Sequence, residues 1–191
     1  IINSINKYMS INDSIITSKM EHDSILNPLK NIKGNVIFVK PNTFGTIDLT
    51  EIEKIIESNN VKLVTIQMVN NEIGSIQKIK QIAKMCHSND ILFHTDATQA
   101  VGHLDINVKD LDVDFLTASA HKFNGPKGIG FLYVKENIDI LKPFIIGGHQ
   151  QNNKRAGTIN LPGIYSMAIA LLNNINLMND NNRLYFSFRE C

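Results

Sequence analysis

Continuous apolar runs alternate with segments of helical periodicity along this chain, and that alternation restricts the fold more than any other feature. The runs lack the polar–apolar alternation of a half-buried strand, so they are typical of strands covered on both faces. In residues 48–58, by contrast, Leu49, Ile52 and Ile56 fall on one face of a helix. The sequence therefore predicts an α/β fold with a mixed, mainly parallel sheet covered by helices. Strands are predicted at residues 15–18, 35–40, 61–69, 91–95, 113–119 and 128–135.

Other helix signals are local. Asp23 or Ser24 can cap a helix that begins near residue 23, and Pro162 suits the first turn of a long helix at residues 161–178. Apolar residues at helical spacing predict a further helix at residues 76–90. The asparagine-rich residues 173–182 are predicted to form a loose segment.

Composition excludes several classes of protein. With 191 residues, 43% hydrophobic and 19% charged, the chain is typical of one globular domain. A net charge of +1 gives no electrostatic case for a nucleic acid or membrane partner, and no apolar run is long enough to span a bilayer. Two cysteines, Cys86 and Cys191, cannot form a disulfide framework, which favours a reducing compartment. No targeting signal is visible, so a cytoplasmic and a mitochondrial home both stay open.

Polar residues follow three predicted strands where each strand ends. Ligands of open α/β sheets bind beyond the carboxyl ends of the strands, so these residues are the first candidates for a site. No metal site is predicted among them. Asn71 follows the third strand, Asp96 and Gln99 follow the fourth, and His121 and Lys122 follow the fifth.

This set of residue types suits pyridoxal phosphate. An amine such as Lys122 can hold the aldehyde of that cofactor as a Schiff base, and a carboxylate such as Asp96 can keep the ring nitrogen protonated. Hydroxyl and imidazole groups, here Ser119 and His121, can bind its phosphate. The sequence thus predicts a pyridoxal phosphate site at the edge of the sheet.

Each of these signals has a simpler interpretation when it is taken alone. A lysine just past a strand is most often a solvated surface residue, and Asp96 in TDATQA also suits a helix cap. Residues 125–130, GPKGIG, favour a turn over a phosphate cradle. The prediction of a cofactor site therefore depends on the combination.

The ordered set of motifs resembles the cysteine desulfurases, pyridoxal phosphate enzymes of the class V aminotransferase superfamily. The motifs are VNNEIGSIQ, HTDATQAVGH, TASAHKFNGPKGIGFLYV and KRAGTINLPGI, and the similarity runs from about residue 17 to about residue 176. NNEIG and HKFNGPKGIG are more similar to the NifS/IscS-type branch than to the SufS-type branch. The resemblance implies the large cofactor-binding domain of fold type I, here a single partial domain over residues 1–191 with the small C-terminal domain largely absent.

By this resemblance, Lys122 is the catalytic lysine that binds the cofactor and then moves the α-proton of the substrate. Asp96 would pair with the ring nitrogen, and Gln99 would donate to the phenolic oxygen of the ring. Asn71 would lie near the same oxygen and the substrate, with Asn70 as the fallback if the register slips by one.

The resemblance also gives roles to residues outside the strand ends. His22, in SKMEHDSI, would stack on the cofactor ring and handle protons, the alternative being a capping residue. Ser119 and His121 would hold the phosphate. Thr158, in RAGT, would reach the phosphate of a partner subunit across a homodimer interface, and the role of Arg155 in the same loop stays open.

The implied reaction removes sulfur from L-cysteine, giving L-alanine and a persulfide on an enzyme cysteine. The sulfur would then pass to an acceptor or scaffold protein for iron–sulfur cluster assembly or thio-modification. A thiolate is the nucleophile in that step.

The chain departs from the family pattern in two places. The family's nucleophilic cysteine lies in a downstream loop that Cys191 does not resemble, and Cys86 falls on the apolar face of a predicted helix. We therefore expect a fragment of a longer protein, inactive in isolation. At residues 149–155, Gln151, Asn152 and Asn153 replace charged or glycine positions of the family. Alternatives are another class V enzyme, such as an aminotransferase or selenocysteine lyase, and a non-catalytic remnant or interaction module.

Overall fold

The computed structural model describes residues 1–189, and its centre is one six-stranded sheet in the order β2-β1-β3-β4-β5-β6. Strands β1 to β5 pair in parallel, and β6 runs antiparallel to β5. The predicted α/β fold with a mixed, mainly parallel sheet is therefore confirmed. The strands are β1 (Asp13–Ser18), β2 (Asn35–Val39), β3 (Asn60–Thr65), β4 (Leu92–Asp96), β5 (Phe115–Ser119) and β6 (Gly130–Val134).

Helices connect the parallel strands and cover both faces of the sheet. Ile16, Phe93 and Leu116 pack on the face that carries α3 and α4, whereas Ile15 and Leu63 pack on the face that carries α1 and α2. The strands are apolar on both faces for this reason. The helices are α1 (Ile2–Asn6), α2 (Asp23–Leu29), α3 (Leu49–Ser58), α4 (Ile79–His87), α5 (Val108–Leu111) and α6 (Leu161–Arg189), and a 3-10 turn occupies Ala120–Phe123.

Strand β3 and helix α4 are shorter in the structure than the sequence predicts. Strand β3 ends at Thr65 and not at residue 69, because the backbone N–H of Gln67 donates to the Glu21 carboxylate instead of to β1. Helix α4 begins at Ile79, because the Gln77 side chain bonds the backbone of Ile47 and holds the preceding residues extended. Both boundaries depend on tertiary hydrogen bonds, which local sequence patterns do not show.

Two further predictions are wrong. His22, and not Asp23 or Ser24, occupies the N-cap of α2 and accepts a hydrogen bond from the Ser24 N–H. The asparagine-rich residues 173–182 are helical, and α6 continues through them to Arg189. Asparagine has a low helix propensity, but packing and hydrogen bonding to the rest of the fold override it.

Asn174 docks α6 onto the turn that follows β5. Its side chain is 6% exposed, and Nδ2 donates to the Phe123 carbonyl at 2.7 Å and to the Ala170 carbonyl at 2.8 Å. Its Oδ1 accepts from Nδ2 of Asn124 at 3.1 Å. A helix that looked loose in the sequence thus holds the segment containing Lys122 in place. None of the helices within residues 1–189 combines the length and apolarity that crossing a membrane requires.

We expect Asn174→Ala to lower the free energy of unfolding by about 1–3 kcal/mol, because it leaves buried partners of the side chain unpaired. Asn173→Ala is the matched control, since Asn173 is exposed in the same helical turn and the change in helix propensity is the same. Urea denaturation followed by circular dichroism measures both. Equal stability of the two variants would contradict this role of Asn174.

Candidate functional site

The carboxyl ends of β3, β4 and β5 lie side by side at one edge of the sheet, because these strands are parallel neighbours. Asp96 ends β4 and Ser119 ends β5, and both line a cavity of about 350 Å³. Thr98 and Ser24 line the same cavity, so β4, β5 and the start of α2 all contribute to it. The fold therefore brings two of the predicted cofactor ligands to one pocket.

Asp96 is half-buried, with one oxygen bound and one oxygen available. Oδ1 accepts from the backbone N–H of Thr98 at 2.9 Å, which fixes the carboxylate against the following turn. No hydrogen bond from residues 1–189 reaches Oδ2. A carboxylate held on one side and open to a cavity on the other suits a cationic N–H, so the residues fit the ring nitrogen of pyridoxal phosphate.

Lys122 lies in the 3-10 turn directly after β5, and the backbone of that turn is well fixed. The Lys122 carbonyl accepts from Nε2 of His103 at 2.9 Å, and the Gly125 N–H bonds the Ala120 carbonyl at 2.8 Å. A Cβ on Gly125 would lie 2.9 Å from that carbonyl oxygen, so only glycine allows this close approach. The side chains of His121 and Lys122 are exposed and do not line the Asp96 cavity.

The glycine-rich residues 125–129 connect antiparallel strands β5 and β6. The interpretation of GPKGIG as a turn is therefore confirmed.

His22 caps α2, which is the simpler of its two interpretations. Its Nδ1 accepts from the Ser24 N–H at 3.2 Å and lies 2.9 Å from the Ser24 hydroxyl. The imidazole is exposed, and its partner Ser24 lines the Asp96 cavity. Capping occupies one ring nitrogen and leaves the ring face uncommitted, so stacking on a cofactor stays a prediction.

The two asparagines after β3 have different environments. Asn70 is buried, donates through Nδ2 to the Met20 carbonyl at 3.0 Å, and accepts through Oδ1 from the N–H groups of Glu72 and Ile73 at 2.9 Å. Asn71 is exposed, and no hydrogen bond within residues 1–189 engages its side chain. Asn71 is therefore the asparagine that is available to a ligand, whereas Asn70 organises the loop.

The remaining predicted residues lie in two places. Gln99 and Ser119 are half-buried near the end of the sheet, and their side chains make no hydrogen bond within residues 1–189. Thr158 and Arg155 line a second, larger cavity of about 1100 Å³, which shares Ile1, Asn3 and Leu132 with the Asp96 cavity. The Arg155 guanidinium donates to the Ala156 carbonyl at 2.9 Å. Thr158 thus lies in a cavity that adjoins the Asp96 cavity and does not line the Asp96 cavity itself.

The described part of the chain contains neither an accessible cysteine nor a group of side chains placed to bind a metal ion. Cys86 is buried on the apolar face of α4, and burial raises the pKa of its thiol to about 12, so it is a core residue. Cys191 lies outside the described residues. Between residues 1 and 189, no group of three or more His, Cys, Asp or Glu side chains is placed to hold a metal ion.

Two buried titratable residues near the site were missed by the sequence analysis. Glu21 is 5% exposed, and burial raises the pKa of its carboxyl to about 8, with the nearby Asp96 charge adding to the effect. His94 lies between the hydroxyls of Thr65, at 2.8 Å, and Thr117, at 3.0 Å, and burial lowers its pKa to about 3. The sequence signal for Glu21 was its position next to His22, directly after a buried strand.

The chain belongs to the aminotransferase class-V family, whose model matches residues 1–184. It is 44% identical over 160 residues to cysteine desulfurase IscS of Dictyoglomus turgidum, covering 82% of this chain and 40% of that protein. The structure of SspA in complex with cysteine is 38% identical, with a TM-score of 0.81 over 89% of this chain and 52% of that one. A NifS-like protein from Rickettsia africae is 31% identical, with a TM-score of 0.83 over 100% and 56% of the two chains.

These comparisons confirm the predicted resemblance to NifS/IscS-type cysteine desulfurases and the fold type that it implied. The chain spans about two fifths of the length of that IscS relative and about half of the two solved chains. What the whole protein does is therefore a separate question.

We expect stability to fall as pH rises from 6.5 to 8, because the native state keeps the Glu21 proton that the unfolded state has lost. The slope is at most about 1.4 kcal/mol per pH unit, and it vanishes above the folded pKa. Below pH 6.5 the lowered pKa of His94 acts in the opposite direction. Burial also lowers the pKa of the Ile1 amino group, which opposes the Glu21 slope inside the window, so the difference between two proteins isolates Glu21. In urea denaturation the wild type should lose more stability from pH 6.5 to 8 than Glu21→Gln; identical pH dependence would refute the assignment.

Proposed function

We propose that this chain is part of the large cofactor-binding domain of a pyridoxal phosphate-dependent cysteine desulfurase. The observation that carries the proposal is Asp96, whose open carboxylate oxygen belongs to a cavity at the end of β4, one strand away from the Lys122 turn. Membership of the class V family and the curated desulfurase relatives support the same conclusion. The protein would convert L-cysteine to L-alanine, the reaction that the resemblance to cysteine desulfurases implies.

Each residue of the site has a role that its environment permits. Pyridoxal phosphate, when bound, supplies a protonated ring that withdraws electrons from the substrate. Asp96 accepts the ring N–H through its open oxygen, and Ser119 and His121 donate to the phosphate. Gln99 and Asn71 donate to the phenolic oxygen, since neither side chain is occupied by another part of the described chain.

Two residues handle the substrate. Lys122 would hold the aldehyde carbon of the cofactor through Nζ and would then move the proton of the substrate α-carbon, a role that suits an exposed amine on a fixed turn. His22 stacks on the ring and transfers protons through Nε2, because its Nδ1 is engaged by Ser24.

The sulfur leaves on a cysteine outside the described residues. One L-cysteine and one enzyme thiol give one L-alanine and one enzyme persulfide, so the thiolate must be solvent-accessible. Cys86 is excluded from that role by its burial and its raised pKa. The persulfide would then supply an acceptor or scaffold protein for iron–sulfur cluster assembly or thio-modification, and Thr158 would complete the phosphate site of a second subunit in a homodimer.

The gene product that contains this chain should release sulfide and alanine from L-cysteine in the presence of pyridoxal phosphate and a reductant. Lys122→Ala should reduce the rate by at least about 10³-fold, because it removes the proposed base for the α-proton. Lys127→Ala is the matched control, since Lys127 is an exposed lysine in the next turn, and it should keep full activity. Borohydride should attach the cofactor to the wild type and not to Lys122→Ala.

Other outcomes would contradict the proposal. Transamination without sulfide release would indicate another class V activity, such as that of an aminotransferase. Failure of the wild type to bind pyridoxal phosphate would indicate a non-catalytic protein.

A further inference from the structure

Two loops that carry predicted site residues are joined by buried hydrogen bonds that no assigned role explains. The turn after β1 carries His22, and the loop after β3 carries Asn71. The Met20 carbonyl in the first loop accepts from Nε2 of Gln67 at 2.5 Å and from Nδ2 of Asn70 at 3.0 Å. Side chains at the end of β3 thus hold the backbone of the His22 turn.

The side chain of Glu21 also connects the turn after β1 to the segment after β3. Its Oε1 accepts from the Ser18 hydroxyl at the end of β1 and from the Gln67 N–H in the segment after β3, both at 3.0 Å. Its side chain is 5% exposed, and its second oxygen has no partner within residues 1–189. We call Ser18, Met20, Glu21, Gln67 and Asn70 the Glu21 bridge.

Burying a carboxyl group costs free energy, so its use to join two strands suggests that its chemistry matters. Burial raises the pKa of Glu21 to about 8, so the group is mostly protonated at neutral pH. Asp96 is the charged group that acts on it, and it disfavours a second negative charge beside the cavity. A neutral Glu21 therefore keeps the hydrogen bonds of a carboxyl without competing with Asp96 for a cation.

We propose that Glu21 is a positioning residue that fixes the His22 turn against the Asn71 loop. The proposal rests on the proposed function for the roles of His22 and Asn71, whereas the bridge itself is a property of the chain. Asn70 extends the bridge into the Asn71 loop, because its Oδ1 holds the N–H groups of Glu72 and Ile73.

The test compares Glu21→Gln, Glu21→Ala and the control Glu72→Ala in the gene product that contains this chain. Glutamine keeps the Oε1 acceptor and the neutral charge, so Glu21→Gln should behave as the wild type. Without added cofactor, Glu21→Ala should increase amide hydrogen exchange about tenfold in residues 19–24 and 70–75 and leave β4 and β5 unchanged. Glu72 is exposed, so its replacement should change neither segment.

With pyridoxal phosphate added, visible circular dichroism of the bound cofactor reports the orientation of its ring. Glu21→Ala should weaken or invert that signal and reduce cofactor affinity about tenfold, and Glu21→Gln should restore both. If Glu21→Ala does not fold, Ser18→Ala removes one donor to the same oxygen and should give the same pattern at smaller amplitude.

The proposal would be overturned if the amides in both loops of Glu21→Ala exchange at the wild-type rate. It would also be overturned if exchange becomes faster to the same extent in all strands. Unchanged ring dichroism in that variant would overturn it as well. If the wild type binds no cofactor, the proposed function fails, and the exchange experiment alone decides whether Glu21 positions the two loops.

Discussion

The parallel pairing of β3, β4 and β5 is the constraint on which the rest of this structure depends. Parallel neighbours end at the same edge of a sheet, so Asp96 and Ser119 reach one cavity and the Lys122 turn follows directly. The long connections that parallel strands need place helices on both faces, which explains the continuous apolar runs. The fold therefore places fixed polar groups together at this edge, where the proposed cofactor would bind.

The sequence predicted the sheet well, because strands buried on both faces have to be apolar throughout. It predicted the ends of elements poorly, because tertiary contacts decide them. Strand β3 ends before Gln67, whose N–H donates to Glu21. Helix α4 begins after Gln77, whose Oε1 accepts from the Ile47 N–H. The asparagine-rich part of α6 is helical because Asn174 finds buried partners that a composition argument cannot anticipate.

The candidate site also combines residues that the sequence names with residues that only the tertiary structure shows. Candidate residues in family motifs, such as Asp96 and Asn71, could be named from the sequence because the motif gives their position, and their roles stay predictions. Glu21 and His94 could not, because a charged or polar residue looks solvent-exposed until neighbouring strands close over it. Their burial changes their chemistry, since it makes both groups neutral near pH 7.

Central to the proposed function is that the open oxygen of Asp96 would accept a hydrogen bond from the ring N–H of pyridoxal phosphate and so keep that nitrogen protonated. The ¹⁵N chemical shift of that nitrogen, measured on labelled cofactor bound to the wild type and to Asp96→Asn, tests it most directly. The account predicts a protonated nitrogen in the wild type and an unprotonated one in the variant. A nitrogen with the same protonation in both proteins would contradict it.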